Sequence, residues 1–332
     1  MKILLRAIAI YLSLSFFLTN AEAASPEMIQ KAKQEGSLVW YTSMNIPDSS
    51  KLIAAFNKKY PFIQVNRFRL GGGQLLQKVL SEHRAGRDIF DVVSTSGFNF
   101  YVINKKGLFT KYVSPEAKYF AEDAKDPNGL WVTLYVNTVG IGYNTALVPP
   151  GQRPKKWEDL LHPRWKGKIA IDDEEYSWFD MVPQVMGKEK GWAFLKALGN
   201  QQINFRDGHT LIAQLTVAGE YPVFLCYVHQ VERFKSLGAP IDWARTPFVI
   251  NILNPIGVSS RSTHPNASRV FIDFALSKGN QEMLVKLGRI VVRKDVKTSV
   301  PKEVRFVSQD ISAADRIEEI RKAFNKTLQL SR

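Results

Sequence analysis

The chain has 332 residues and carries 45 Lys and Arg against 31 Asp and Glu, a formal net charge of +14. Hydrophobic residues make up 45% and charged residues 23%, which is typical of a globular protein and excludes a wholly disordered, collagen-like or coiled-coil chain. A single cysteine, Cys226, excludes an internal disulfide and any Cys-x-x-Cys metal or redox motif. The basic charge alone is compatible with nucleic acid, an anionic membrane or an acidic ligand as the partner.

The first 23 residues have the pattern of a cleavable export signal. Lys2 and Arg6 precede an apolar stretch over 7–18, and Ala21-Glu22-Ala23 has the small residues of an Ala-x-Ala cleavage site. The stretch is short for a transmembrane helix, and no cysteine follows it, so we expect neither an anchor nor a lipoprotein. The alternative is an uncleaved anchor. Export predicts a periplasmic location and argues against nucleic acid as the partner.

From residue 36 onward, β-prone runs alternate with amphipathic helical patterns. Strands are predicted at 37–42, 62–68 and 90–93, with helical patterns between them. This order predicts an open α/β sheet with right-handed crossovers, in which ligands bind beyond the carboxyl ends of the strands. The loops that we expect to face the site are 41–45, 70–74 and 94–99. Gly71-Gly72-Gly73 lacks the Lys-Ser/Thr of a phosphate-binding P-loop and is interpreted as a turn.

The second half of the chain repeats the alternation with different contents. A long β-prone segment at 131–144 is followed by strands predicted at 169–171, 222–227 and 248–253. Helical patterns lie at 192–198, 210–218, 265–287 and 312–329. Cys226 is predicted to be a small core residue.

Six short stretches match a known family in the expected order. They include Tyr-Thr-Ser after the first strand, Asp-Ile-Phe-Asp-Val-Val, Val-Gly-Ile-Gly-Tyr-Asn-Thr and Trp-Lys-Gly-Lys-Ile, and they lie at 36–43, 88–109, 139–145, 157–169, 218–222 and 288–296. On these motifs the chain resembles the periplasmic solute-binding proteins of ABC importers, in the group of the ferric-iron-binding proteins. From first to last they span nearly the whole chain beyond the export signal.

The resemblance implies an α/β, type 2 periplasmic-binding-protein fold. Two lobes, each a mixed sheet flanked by helices, would be joined by a two-strand hinge with crossings within 131–142 and 244–253. We expect lobe 1 to comprise 24–134 and 250–332, and lobe 2 to comprise 135–249, with the C-terminal helices packing on either lobe.

The resemblance also implies a function. A monomer without enzymatic activity or a cofactor would capture a small molecule or metal ion by hinge closure and deliver it to an ABC permease in the inner membrane. One alternative is a ligand sensor for a membrane receptor. Another is an exported enzyme on the same fold, although no Gly-x-Ser-x-Gly or His-Glu-x-x-His motif is present.

The solute is the open question. Ferric-binding relatives use two adjacent tyrosines after the Gly-Glu-x-Pro strand, but here His229 and Gln230 stand at those positions and Tyr227 lies two residues earlier. Tyr227 and His229 are predicted to share one face of a strand. Phenolate and carboxylate oxygens suit Fe(III), a hard cation. Tyr227, His229 and Glu175 are therefore the candidate metal ligands, with ferric iron as cargo.

A second departure concerns the loop at 172–175. Anion-binding relatives often have a small Ser/Thr/Gly-rich turn there, which opens a helix, whereas this chain has Asp172-Asp173-Glu174-Glu175. Four carboxylates favour a metal or an ammonium group, so ferric iron or another cationic solute is the first prediction. A small organic anion or a phosphorylated solute is the alternative. In another interpretation, Asp172 or Asp173 caps the next helix and the glutamates complement its dipole.

The candidate ligand-binding residues are polar or aromatic and lie at predicted strand ends or helix starts. For each of them the alternative is a structural role in a turn, a helix cap or the core. They are Tyr41, Thr42, Ser43, Ser94, Thr95, Ser96, Asp173, Tyr176, Trp178, His209 and Tyr227. For His209 a surface position is the favoured alternative.

Overall fold

The computed structural model describes residues 25–298 and 304–330. The predicted export signal, residues 1–23, lies outside the described residues. Within the described part of the chain, no helix combines the length and the apolar character needed to cross a membrane.

The described residues form ten strands and eleven α-helices. The strands are β1 (Ser37–Thr42), β2 (Gln64–Arg69), β3 (Val92–Ser94), β4 (Val132–Asn144), β5 (Ile169–Asp172), β6 (Asn204–Arg206), β7 (Val223–Tyr227), β8 (Ile241–Trp243), β9 (Phe248–Val258) and β10 (Arg305–Ser308). The α-helices are α1 (Pro26–Glu35), α2 (Ile46–Lys59), α3 (Gly72–Arg84), α4 (Gly97–Asn104), α5 (Tyr176–Met186), α6 (Lys188–Gly199), α7 (His209–Val217), α8 (Val228–Ser236), α9 (Pro265–Leu276), α10 (Lys278–Lys286) and α11 (Ile317–Leu328).

Short 3₁₀ helices complete the described structure. They span Pro115–Tyr119, Glu122–Ala124, Pro150–Gln152, Trp157–Leu161, Pro163–Trp165 and Ile311–Arg316. The predicted alternation of strands and helices is confirmed, although the helix predicted at 265–287 is interrupted. There Ser277 leaves the helical conformation and divides the predicted helix into α9 and α10.

The sheet consists of two parallel parts joined by an antiparallel pair. Its order is β2-β1-β3-β9-β4-β7-β5-β6, with β10 paired to β9 and β8 to β4. The neighbours of β1, and likewise those of β5, run parallel to it. In contrast, β9 is antiparallel to β3 and β4, and β4 is antiparallel to β7. Because the long strands β4 and β9 belong to both parts, they form the predicted two-strand hinge between two α/β lobes.

Aromatic side chains pack the helices of each lobe against its own core. In the first lobe, Phe271 of α9 packs against Trp40 and Phe56, with ring centroids 5.1 and 5.2 Å apart. In the second lobe, Phe324 of α11 packs edge-on against Tyr176 and Phe179 of α5, at 5.1 and 5.5 Å. The helix α9 therefore packs on the first lobe and α11 on the second, while the boundaries at 134/135 and 249/250 stay a prediction.

Candidate functional site

The first face of the cleft is formed by the starts of α3 and α4, which follow β2 and β3 at the carboxyl edge of the sheet. In the described structure neither N-cap residue, Gly71 or Ser96, makes a side-chain hydrogen bond to the first-turn amides. Neither first turn contains an acidic residue. Such amides carry the positive end of the helix dipole and bind anions readily.

The two helix starts touch each other. A Cβ atom placed on Gly72 of α3 would lie 2.7 Å from Asn99 Nδ2 and 3.4 Å from Ser96 Oγ, both at the start of α4. Asn99 Nδ2 donates to Ser96 Oγ at 2.9 Å. The Thr95 hydroxyl lies 3.8 Å from the same Cβ position. Thr95 is fully buried, and among the described residues its hydroxyl has no hydrogen-bond partner.

The unpaired Thr95 hydroxyl is informative because buried polar groups are almost always hydrogen-bonded. A ligand oxygen bound at the start of α3 would give this hydroxyl its partner. Gly72 and Gly73 have no side chains of their own beside the adjacent backbone amides. The first face therefore collects hydrogen-bond donors around one small space.

Thr42 and Ser94 lie beneath this face and are hydrogen-bonded to each other. Both are fully buried, with 2.8 Å between their hydroxyl oxygens, and Trp40 Nε1 donates to Ser94 Oγ at 3.0 Å. They hold the ends of β1 and β3 together and do not reach the cleft. Ser43 is half-buried, and its side chain lies beside the Tyr135 phenol.

Tyr41 also lies away from the cleft. Its phenol donates to Glu82 Oε1 at 3.1 Å, and its ring packs against Phe68 and Phe90 at 5.0 and 5.7 Å. Burial and the Glu82 carboxylate raise the pKa of Tyr41. Its side chain joins β1 to α3.

The second face of the cleft is formed by the acidic loop 172–175 and the starts of α7 and α8. Asp172 Oδ1 accepts from the Glu174 amide at 3.0 Å, and Oδ2 accepts from the Gly208 amide at 2.8 Å. Asp172 thus fixes its own loop and the residue before α7. It does not cap α5, whose N-cap residue is Glu175. Burial raises the pKa of Asp172, although His209 opposes the shift.

His209 is buried between carboxylates, contrary to the favoured surface position. Its Nε2 lies 2.9 Å from Glu175 Oε2 and 3.9 Å from Asp172 Oδ2. Burial lowers the pKa of His209, but the two carboxylates raise it more, so the pKa lies above its ordinary value. The ring stacks on Tyr227 with centroids 3.5 Å apart.

The prediction that Tyr227 and His229 share one strand is wrong, because β7 ends at Tyr227 and α8 begins at Val228. Their rings nevertheless stack, with centroids 5.9 Å apart. Burial holds the pKa of Tyr227 well above its ordinary value and that of His229 well below it.

The predicted metal ligands do not converge in this conformation. Glu175 is paired with His209, and the Tyr227 ring stacks with those of His209 and His229. Across residues 25–298 and 304–330, no group of three or more His, Cys, Asp or Glu side chains is placed to hold a metal ion. The geometry therefore lends the metal prediction no support.

Three further candidates belong to the second lobe. Trp178 is fully buried, and its ring lies 5.7 Å from Trp157 and 6.5 Å from Phe194. Tyr176 is partly buried against Phe324 of α11. Both side chains lie on the face of α5 that packs into the lobe, so they contribute to its core. Asp173 is half-buried, and its amide donates to the Arg206 carbonyl at 3.1 Å.

Glu174 brings the two faces into contact. Its side chain is exposed at the mouth of the cleft. A Cβ atom placed on Gly73 of α3 would lie 3.0 Å from each carboxylate oxygen of Glu174. A carboxylate of the second lobe therefore lies against the first turn of a helix in the first lobe.

The floor of the cleft contains residues that the sequence analysis did not identify. Arg289 is 2% exposed, and its Nε donates to Asp48 Oδ2 at 2.6 Å. Its Nη1 donates to Asn137 Oδ1 at 3.3 Å, and its guanidinium lies 4.1 Å from the centre of the Tyr135 ring. The available signal was a polar residue inside an apolar run, at Arg289 in the stretch 288–296 and at Asn137 in β4.

Comparison with known proteins gives a consistent result. Residues 88–313 match the sequence model for bacterial extracellular solute-binding proteins. A Haemophilus influenzae protein of uncharacterised function is 25% identical over 284 residues, which cover 80% of each chain. The periplasmic binding protein AfuA of Actinobacillus pleuropneumoniae, solved with fructose-6-phosphate, superposes with a TM-score of 0.78 at 21% identity, over 90% of this chain and 100% of AfuA. Iron-bound HitA of Pseudomonas aeruginosa gives a TM-score of 0.74 at 18% identity, over 87% and 99%.

Proposed function

We propose, from the premise that the chain belongs to the family of bacterial extracellular solute-binding proteins, that its solute is a small organic oxyanion. Members of the family are the solute-binding components of ABC importers, and this chain has that role: it carries a solute outside the cytoplasmic membrane to an ABC permease. The observation that carries the anion proposal is the pair of adjacent, uncapped helix starts at Gly72 and Gly97, next to the buried Thr95 hydroxyl.

The chemistry of the first face suits an oxyanion. Two helix N-termini direct their partial positive charge into one space. Gly72 and Gly73 allow a ligand oxygen to approach the backbone closely. The donors come mainly from backbone and hydroxyl groups, so the face needs no change of protonation to receive a negative charge. Phosphorylated or carboxylated solutes meet this requirement.

The second face does not favour a cation as strongly as its sequence indicates. The carboxylate of Asp172 accepts two backbone amides, and that of Glu175 is paired with His209. Two of the four acidic groups are thus already compensated inside the protein. The structural neighbours include both AfuA with a phosphorylated sugar and HitA with iron, and the geometry of this chain favours the anionic solute.

Three finer features belong to the same proposal. Residues 1–23 are removed on export, in keeping with their charged, apolar and Ala-x-Ala order. The protein acts as a monomer, and it does not transform its solute. Closure of two lobes around a solute is sufficient to signal the permease.

A ligand screen tests the anion class. The purified exported protein is heated with phosphate esters such as glycerol 3-phosphate and glucose 6-phosphate, with citrate, with ferric citrate and with spermidine. We expect the phosphate or carboxylate compounds to raise the unfolding temperature by mass action, and calorimetry then gives their affinities. Stabilisation by ferric iron or spermidine alone would contradict the proposal.

A glycine substitution tests whether the anion binds at the start of α3. Gly73→Ala adds a methyl group that points to the Glu174 carboxylate, and we expect it to weaken binding of the best oxyanion by about tenfold. Gly279→Ala is the matched control, because Gly279 is likewise the second residue of its helix and a Cβ there meets nothing within 4 Å. Alanine is the better helix former at both positions, so neither variant should lose stability. Equal affinities for the two variants would show that the anion does not bind at the start of α3.

A further inference from the structure

The C-terminal part of the chain, from β10 to α11, is attached at both ends to the second lobe. Strand β10 pairs with residues 248–251 of β9, the half of β9 that lies beside the second-lobe part of β4. Helix α11 packs on α5 through Phe324 and Phe179. At the start of α11, Arg316 Nη2 lies 3.2 Å from Asp180 Oδ1 of α5.

The stretch between these two attachments, residues 309–316, contacts the first lobe. We call it the bridging segment. A Cβ atom placed on Gly97 of α4 would collide with the side chain of Ile311, which is buried. The next residue of α4, Phe98, is buried in the same apolar cluster as Ala314. The bridging segment therefore packs against the helix whose first turn lines the first face of the cleft.

Polar contacts continue this packing toward the end of α4. The Tyr101 phenol donates to Asp315 Oδ2 at 2.8 Å, and Lys105 Nζ lies 3.4 Å from Asp315 Oδ1. The side chains of Lys105 and Asp315 are 58% and 54% exposed. The contact between the lobes thus has an apolar centre and a charged rim, and it lies outside the two hinge strands.

Gln309 lies where the hinge and both lobes meet. Its backbone amide donates to the Asn251 carbonyl of β9 at 2.9 Å. Its Nε2 donates to Ser177 Oγ at the start of α5 at 2.7 Å, and its Oε1 lies 2.8 Å from the Cβ position of Gly97 at the start of α4. The side chain of Gln309 is therefore enclosed between one helix of each lobe.

We propose that the bridging segment stabilises the closed arrangement of the lobes before a solute binds, and that it thereby sets the affinity for every solute. The inference goes beyond the proposed function, because it does not depend on which solute the cleft accepts. It assigns a conformational role to residues that contact no solute.

The physical reason is the attachment of the segment to one lobe only. When the lobes rotate about β4 and β9, the bridging segment moves with the second lobe and α4 moves with the first. Opening therefore exposes Ile311 and separates Asp315 from α4, which costs buried apolar area and a hydrogen bond. A solute that binds the closed form has an apparent affinity reduced by the fraction of protein that is not closed. Loss of these contacts weakens all solutes by one common factor.

A simpler role for the bridging segment makes a different prediction. If it only supports the core of the second lobe, its substitutions lower the stability of the fold but leave the separation of the lobes unchanged. The proposal requires a change in lobe separation in protein that is fully folded.

The experiment measures the lobe separation of the full exported protein without solute. Spin labels are placed on Lys58→Cys of α2 and Lys190→Cys of α6, and pulsed electron paramagnetic resonance gives the distribution of distances between them. Both positions are exposed, whereas the native Cys226 is fully buried and is not expected to take a label.

Two variants loosen the bridging segment, and each has a matched control on α11. Ile311→Ala removes the apolar centre, and its control is Ile320→Ala, a buried isoleucine on the helix that packs on the second lobe. Asp315→Ala removes the charged rim, and its control is Glu318→Ala, whose side chain is 67% exposed. Ile311→Ala and Asp315→Ala should shift the distances to longer values, and the controls should not.

Calorimetry with glycerol 3-phosphate and with citrate provides the second measurement. We expect both affinities to fall by one common factor, about tenfold in Ile311→Ala and about threefold in Asp315→Ala. The two controls should stay within about twofold of the unsubstituted protein. Because Asp315 is more than half exposed, its variant tests the proposal even if Ile311→Ala does not fold.

Each outcome has a consequence. Equal lobe separations in all the proteins, or a control that opens the lobes as far as the variant it matches, would overturn the role of the bridging segment. Affinity losses that differ between the two solutes would also overturn it, since closure is common to both. Opened lobes in proteins that bind neither solute would support the bridging segment and overturn the proposed anion function.

Discussion

The two faces of the cleft present polarity in different ways. The first face offers backbone amides at the starts of α3 and α4, with hydroxyl groups beside them and no acidic side chain in either first turn. The second face is crowded with ionisable groups, and it buries Asp172, Glu175, His209 and His229. The polar groups of the first face are mainly backbone dipoles held by the helices, whereas those of the second face are mainly ionisable side chains.

This difference suggests that the two lobes have different roles in binding the solute. Backbone dipoles are already oriented, so binding an anion to them costs little side-chain entropy and requires no proton transfer. Side chains of the second face are largely compensated by one another, as in the pairing of His209 with Glu175 at 2.9 Å. We infer that the first face holds the charge of the solute and that the second face closes over it.

Breaking the buried ion pair of the floor, between Arg289 and Asp48, should have the largest effect. Arg289→Ala leaves the Asp48 carboxylate buried without its 2.6 Å partner. We expect the free energy of unfolding to fall by about 3–5 kcal/mol, because an uncompensated buried charge is costly. Urea unfolding followed by fluorescence measures the loss.

The control for Arg289 is an exposed ion pair. Lys31 lies 2.8 Å from Glu27, and their side chains are 56% and 78% exposed. Lys31→Ala should change the unfolding free energy by less than about 1 kcal/mol. A similarly small loss in Arg289→Ala would show that the buried pair adds little to the stability of the fold.

The next prediction tests the compensation within the second face. His209→Gln removes the cation between Asp172 and Glu175, below the rings of Tyr227 and His229. Because the folded-state pKa of His209 lies above its ordinary value, its protonated ring stabilises the fold fully below about pH 6.5, and this contribution is lost as the pH rises through the folded-state pKa. We expect the variant to lose about 2 kcal/mol near pH 6 and less near pH 9.

Urea unfolding at the two pH values provides the measurement. His162→Gln is the control, because His162 is exposed on the second lobe. Its ring accepts from the Arg164 amide at 3.2 Å, so its effect should stay within about 1 kcal/mol at both pH values. A loss in His209→Gln that grows with pH would show that the ring is neutral in the fold. The second face would then contain uncompensated carboxylates, and a cationic solute would again be favoured.

The sequence predicts the fold better than it predicts the site. Strand and helix patterns are local, and the six family motifs fix their order, so the two lobes and the hinge could be anticipated. The direction of a strand-end side chain depends on pairing with a distant strand. Thr42 and Ser94 lie opposite each other in the register of β1 and β3, and their hydroxyls therefore satisfy each other below the cleft.

The contact that matters most to the solute proposal is also non-local. The sequence 172–175 predicts an acidic loop but not that Glu174 reaches Gly73 in the other lobe. The sequence predicts a turn for the glycines at 71–73, whereas the structure begins α3 at Gly72. Glycine permits both structures, so the pattern alone does not distinguish them. Without the facing helix starts, the acidic loop favours a cation.

The smallest expected effect concerns Tyr41, a predicted ligand-binding residue that the structure places below the first face. Successive side chains of a strand point to opposite sides, and Tyr41 points to Glu82 of α3, with 3.1 Å between the phenol and the carboxylate. Tyr41→Phe should lower the unfolding free energy by about 1 kcal/mol, the net value of one hydrogen bond. Glu82 keeps Lys78 as a partner, so the carboxylate is not left unpaired. Calorimetry should give a phosphate affinity within about twofold of the unsubstituted protein. If Tyr41→Phe instead lowers the affinity for phosphate as much as Gly73→Ala does, a side chain of β1 contacts the solute. The first face then does not bind the solute through the helix starts alone.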